Sequence, residues 1–138
     1  MSLEDYSWYF QKTFTVEDTK AHCEFNNEHN PVHWDIDFVK EYSKFENVVV
    51  PGMMIQNCFV HIPDDYHKAI DEGFVPVLRN VEAKFFDAPF VDKPVEFFGK
   101  VIKERVGKIS YVEYEVAAFQ GERKVATGKV KIMVKGSW

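Results

Sequence analysis

The densest run of side chains able to do chemistry is Asn26-Asn27-Glu28-His29-Asn30-Pro31-Val32-His33-Trp34-Asp35. Glu28 and His33 bracket an Asn-Pro step. Proline has no backbone donor and pushes the residue before it out of the α region, so the chain must break and cross irregularly there. A reversal at that point can aim a carboxylate and an imidazole at one water molecule. Such a pair takes one proton and gives another, which is general acid–base chemistry near neutral pH. The residue types alone leave a plainer reading open, in which the asparagines cap and turn the backbone while Glu28 and His33 stand in solvent. The other histidines carry less. His29 alternates away from the pair, and His61 and His67 flank Pro63, where they face solvent or cap carbonyls. His22, His29 and His33 lack the spacing of a metal centre, so no metal is expected.

The elements that must position this run follow from the pattern around it. Trp8 to Phe14 reads as an edge strand, and Thr15-Val16-Glu17-Asp18 offers a hydroxyl N-cap with an acid three residues on, so a helix follows through about Phe25. Asp35 caps a second helix whose apolar face is Phe38, Tyr42 and Phe45. After Val50-Pro51-Gly52, a third helical piece is apolar on nearly every side from Met53 to Ile62, and a helix of that kind must be enclosed. From Val75 onward four segments alternate with period two: Val77 to Phe85, Val95 to Val101, Val112 to Ala118 and Ala126 to Val134. These are half-buried antiparallel strands, the last three joined by turns at Gly107 and Gly121 into a meander. The class is α+β, and one antiparallel sheet wrapped around a buried central helix is the hotdog fold.

Composition sets the frame. The 138 residues suit one domain spanning 1–138, and an apolar fraction of 46% with 13 Phe is far above what a disordered chain carries. A formal charge of -5 with no basic run speaks against nucleic acid as a partner. Cys23 and Cys58 have no metal-ligand spacing and are expected to stay reduced in a cytosol. No stretch has the roughly 20 apolar residues of a membrane span, and the acidic start Leu3-Glu4-Asp5 is unlike a signal peptide, so the expectation is a cytoplasmic protein with no membrane partner.

Three blocks together, Asn30-Pro31-Val32-His33-Trp34-Asp35, Val50-Pro51-Gly52-Met53-Met54 and Val81-Glu82-Ala83-Lys84-Phe85-Phe86-Asp87-Ala88-Pro89, resemble the MaoC-like dehydratases and (R)-specific enoyl-CoA hydratases of the hotdog superfamily. The likeness runs from Phe14 to Val130. Members of that family carry Thr-Gly-Asp-x-Asn-Pro-x-His with the Asp and His as catalytic pair, and the matching positions here are Glu28 and His33. Asn27 stands where the family has Gly, so either the asparagine takes a left-handed conformation or the crossing runs differently from the family's.

The resemblance implies a hydro-lyase acting on trans-2-enoyl or 3-hydroxyacyl thioesters of coenzyme A or acyl carrier protein, in fatty acid metabolism, without a cofactor. It implies a thioester carbonyl held at the N–H groups of Gly52 and Met53, an oxyanion hole at the start of the third helix, with Asn30 shaping the substrate side. It also implies a homodimer, as an exposed edge strand does on its own. Arg79, Lys84, Lys100, Lys103 and Arg105 could meet the phosphates of the carrier, and a solvated strand face explains them equally well. Two other functions fit the same fold: an acyl-thioester hydrolase, and a module that binds an acyl thioester without turning it over.

Overall fold

The computed structural model describes residues 8–60 and 76–135. Its elements run β1 (Trp8–Thr13), α1 (Val16–Asn26), a 3-10 turn (Pro31–His33), α2 (Ile36–Tyr42), α3 (Gly52–Cys58), β2 (Val77–Phe85), β3 (Pro94–Arg105), β4 (Ser110–Gln120) and β5 (Arg123–Lys135). All five strands form one antiparallel sheet in the order β1-β3-β4-β5-β2. The class is α+β. The last three strands are the expected meander, and the two earlier strands close its flanks as edges.

Period-two alternation places Val95 and Phe97 of β3, Tyr114, Val116 and Ala118 of β4, and Ala126, Val130 and Ile132 of β5 on the buried side. Ile55 and Phe59, one helical turn apart, project from the α3 segment into the same core. The helix comes this close because β5 has a glycine beneath it. A Cβ at position 128 would lie 2.6 Å from the Phe59 ring and 2.7 Å from the Glu82 carbonyl oxygen.

Local signals in the front half are realised closely. Thr15 caps α1 in a reciprocal capping box with Asp18. Asn27 ends α1 with φ 55° and ψ 36°, and the Glu28 N–H reaches back to the Cys23 carbonyl at 2.9 Å. This is a left-handed C-cap, made here by asparagine because its short polar side chain tolerates the conformation.

Three expectations need correction. The inward residue of α2 is Val39, fully buried, whereas Tyr42 is 68% exposed and Phe45 lies beyond the helix end. The Phe38 and Tyr42 rings meet at a tilt, centroids 4.9 Å apart, along the helix flank, so the aromatic spacing marks a side contact and not the core face. The α3 segment buries Ile55 and Phe59 but leaves Met53 54% exposed, so among the described residues this helix is covered on its sheet side and not all round. Phe85, which the period-two alternation sets on the same face as Val77, Val81 and Ala83, is 48% exposed. It ends edge strand β2, where the sheet has no further strand to pack beside it. His61, Ile62 and His67 lie outside the described residues, as does most of the segment leading to β2. Among the described residues no helix is long and apolar enough to cross a membrane.

Candidate active site

The Glu28–His33 pair is built by backbone hydrogen bonds on both sides of the crossing. Glu28 follows the left-handed Asn27 and is tied to α1 through the Cys23 carbonyl. His33 closes the 3-10 turn opened by Pro31. Asn30 shapes that turn: its Oδ1 accepts from the Val32 N–H at 3.2 Å, and its carbonyl accepts from the His33 N–H at 3.2 Å. Asp35 then caps α2 through the N–H groups of Asp37 and Phe38, which fixes the far side of the turn.

Between these anchors His33 Nε2 comes to 3.4 Å from Glu28 Oε1, with the imidazole 12% and the carboxylate 38% exposed. The other ring nitrogen, Nδ1, is 2.7 Å from the Val49 carbonyl oxygen. A carbonyl can only accept, so Nδ1 carries a proton and Nε2 is the nitrogen that faces Glu28. Their separation exceeds the roughly 2.7–2.9 Å of a tight charge-assisted pair, so the two groups are adjacent without being locked together. Glutamate, one methylene longer than aspartate, still reaches the histidine.

Val49 also links the pair to α3. Its N–H donates to the Val32 carbonyl at 3.0 Å, and three residues later the helix begins. The earliest intrahelical bonds are those of Met54 and Ile55 to the Pro51 carbonyl, so the N–H groups of Gly52 and Met53 find no acceptor among the described residues. The Phe85 ring lies over this start. A Cβ at position 52 would sit 3.1 Å from it, so glycine there gives the Phe85 ring room against the backbone.

A hollow of about 370 Å³ borders the pair on the α1 side, between Lys20, Cys23 and Glu24 of the helix and Glu28, His29 and Trp34 of the crossing. It does not extend to His33 or to Gly52. Burial, and then the negative charge of Glu28, push the Cys23 thiol up, which keeps it protonated and unsuited to act as a nucleophile. A second hollow of about 440 Å³ lies across β2, β4 and β5; it is lined in part by Lys84, one of the candidate carrier-binding cations, and not by Glu28, His33, Asn30, Gly52 or Met53.

The structure therefore brings Glu28 and His33 together, gives Asn30 a turn-forming role and leaves two donors at Gly52 and Met53. Of the candidate carrier-binding cations, Lys100 and Lys103 stand opposite Glu115 and Glu113 on the neighbouring strand, in a cross-strand row of alternating charge. The Val49 carbonyl, which orients the imidazole, had no signal in the sequence because every residue but its side chain carries the same group.

No family model matches the sequence, and no curated protein matches it. Solved structures do match the fold. An (R)-hydratase from A. caviae involved in PHA biosynthesis is 21% identical, with 94% of this chain and 93% of that chain covered and a TM-score of 0.70. The ChsH1-ChsH2 complex from Mycobacterium tuberculosis gives 16% identity, 94% and 88% coverage and a TM-score of 0.73. A probable thioesterase from Bartonella henselae gives 18% identity, 93% and 89% coverage and a TM-score of 0.56. Other matches include a MaoC-like dehydratase and a further (R)-hydratase. With its antiparallel sheet laid against α3, the chain has the hotdog fold that it shares with these hydratase and dehydratase structures.

Proposed function

We propose that the chain is a MaoC-like hydro-lyase of fatty acid metabolism. It would add water to trans-2-enoyl thioesters or, in reverse, dehydrate 3-hydroxyacyl thioesters of coenzyme A or acyl carrier protein. The observation that carries this reading is the imidazole of His33, held by the Val49 carbonyl with Nε2 turned to the Glu28 carboxylate at 3.4 Å. Of the shared-fold structures, the (R)-hydratases and the MaoC-like dehydratase support the same chemistry.

In the hydration direction the thioester carbonyl accepts from the N–H groups of Gly52 and Met53. Water bound between Glu28 and His33 attacks C3. As the new C–O bond forms, the C2–C3 π electrons move toward the thioester oxygen, where the two backbone donors stabilise the negative charge. The pair takes the proton lost by water and delivers a proton to C2, so one water is added and no electrons are exchanged. Asn30 holds the turn that sets His33, and no cofactor takes part. Hydration and dehydration share this transition state, so the supply of substrate sets the direction.

The same groups could instead direct water to the carbonyl carbon and expel the thiol, as a thioesterase would. A short trans-2-enoyl-CoA with the purified protein separates the readings. Loss of enoyl absorbance without free thiol is expected; release of thiol with the alkene intact, or binding without turnover, would overturn the hydro-lyase. In His33→Ala the hydration rate should fall by about 10²–10⁴-fold, the usual worth of a positioned acid–base group. Full activity in that variant would remove the mechanism.

A further inference from the structure

A buried amide far from His33 in the sequence is connected to it through the backbone. Gln120, the last residue of β4, is 5% exposed. Its Oε1 accepts from the Phe90 N–H at 2.9 Å and from Arg123 at 2.8 Å, and its Nε2 donates to the carbonyls of Phe90 at 2.8 Å and Lys93 at 3.1 Å. Every hydrogen-bonding position of the amide is filled. Two N–H donors converge on one end of the group and two carbonyls on the other, so the amide has a single satisfied orientation. Toward Phe90 it acts like one residue of a paired strand.

From Phe90 the connection continues without a gap. Phe90 forms an antiparallel bridge with Val49, framed by the Val50 N–H to the Pro89 carbonyl at 2.8 Å and the Val91 N–H to the Val48 carbonyl at 3.1 Å. Val49, between those two bonds, gives its carbonyl to His33 Nδ1. Arg123 fastens the outer side of the same loop. It donates to the Ala88 carbonyl at 2.8 Å, pairs with Asp87 at 3.0 Å and lies over the Phe90 ring at 5.0 Å. Among the described residues the bridge from Val49 to Phe90 stands outside the sheet, and the Val49 N–H bond to the Val32 carbonyl holds the segment's other edge.

We infer that Gln120 is a positioning residue for the Glu28–His33 pair: through Phe90 and the bridge to Val49, it sets the carbonyl that fixes which nitrogen of His33 carries the proton. The inference rests on the acid–base reading above for its catalytic consequence, while its structural part concerns His33 alone. Without the amide, Phe90 loses its hydrogen bonds to β4, the 48–50 segment is left with its bonds to the Val32 and Pro89 carbonyls and the Val91 N–H, and the Nδ1 bond to Val49 loosens. The imidazole then samples both tautomers, and Nε2 is no longer held toward Glu28. A displacement of about 1 Å at a reacting group costs about 10²-fold in rate, so the loss should fall on kcat.

The test compares wild type with Gln120→Leu, which removes all four bonds, and Gln120→Glu, which keeps the shape and the acceptor but loses both donors. Nitrogen-15 NMR of histidine-labelled protein reads the His33 tautomer directly. The expected result is an Nδ1–H form in wild type, a mixture of tautomers in Gln120→Leu, and an intermediate population in Gln120→Glu. With trans-2-enoyl-CoA, kcat should fall about 10–10²-fold in Gln120→Leu, with KM changed by less than about threefold. Val130→Ala, a buried change on β5, controls for general loss of stability and should leave the His33 signals in place. If Gln120→Leu fails to fold, Gln120→Glu decides alone.

An unchanged His33 tautomer in the folded Gln120 variants overturns the inference, whatever their stability, and so does an equal shift in Val130→Ala. A protein without hydratase activity that still shows the tautomer response would sink the hydro-lyase reading and leave the positioning role standing. An active wild type with an unresponsive His33 would do the reverse.

Discussion

His33 shows how much of an acid–base site is decided by a group that does not react. Its ring is 12% exposed and bonded at Nδ1, so only Nε2 is free to exchange a proton with Glu28 or with water. Glu28 is the more accessible partner at 38%, which makes it the better target for a change that alters chemistry and spares the fold. Glu28→Gln keeps the size and a hydrogen-bonding oxygen but cannot take a proton. Its hydration rate should drop by about 10²–10⁴-fold, while its stability stays within about 0.5 kcal/mol of wild type, as for a partly exposed side chain outside the core. Enoyl absorbance and a urea titration on the same preparation measure both. Wild-type turnover in Glu28→Gln would mean that the carboxylate is a bystander. These two residues and Asn30 could be read from the sequence because turn chemistry and titratable groups are properties of side-chain type, whereas at Asn27 the sequence left two backbone courses open and the structure takes the left-handed one. The Val49 carbonyl and the Gln120 amide could not. One belongs to the backbone, and the other reaches Phe90 and Lys93 across 30 and 27 residues.

Elements were legible where one period dominated. Alternation along β3, β4 and β5 gave a meander, and the structure keeps the strands in that order because each turn joins immediate neighbours. The α2 aromatics misled because the helix is only seven residues long, so Phe45 falls outside it and Val39 is left to face the core. Contacts between elements were less visible, and Gly128 is the sharpest case. Nothing in the strand pattern shows that α3 needs this position bare. Adding a methyl there drives Cβ to 2.7 Å from the Glu82 carbonyl oxygen, a backbone atom of β2 that cannot rotate away, and to 2.6 Å from the Phe59 ring. Gly128→Ala should therefore destabilise by about 1–3 kcal/mol through overpacking. Gly107→Ala, where the nearest atom is 3.7 Å away, should change stability by less than about 0.5 kcal/mol. Denaturant midpoints compare the two directly. Equal midpoints would show that the helix yields and that its seat on β5 is loose.

At the scale of the whole molecule the two edges of the sheet differ. β1 is short and turns polar, with Gln11, Lys12 and Thr13 exposed, which are features that discourage another strand from pairing. β2 runs nine residues and pairs with β5 on one side only. Around that edge Leu78, Phe85, Phe86 and Met53 are each 46–56% exposed, a concentration of large apolar side chains that a single chain leaves in water. The sequence showed these residues as apolar, but which strand would be left at an edge depends on pairing between distant segments and was not readable from local pattern. A second copy applied along β2 would extend the sheet, cover Met53 and close the open side of α3, where the Gly52 and Met53 N–H groups lie. Such a contact should bury about 800 Å² on each partner, as stable interfaces do. The expected state is a homodimer at micromolar concentration, read by light scattering. Phe86→Glu, which sets a charge in the middle of the patch, should shift it toward monomer and lower the hydration rate in parallel, because the start of α3 is then open to bulk water. A stable wild-type monomer would remove the dimer; a monomeric Phe86→Glu with undiminished turnover would show that each chain holds a complete site.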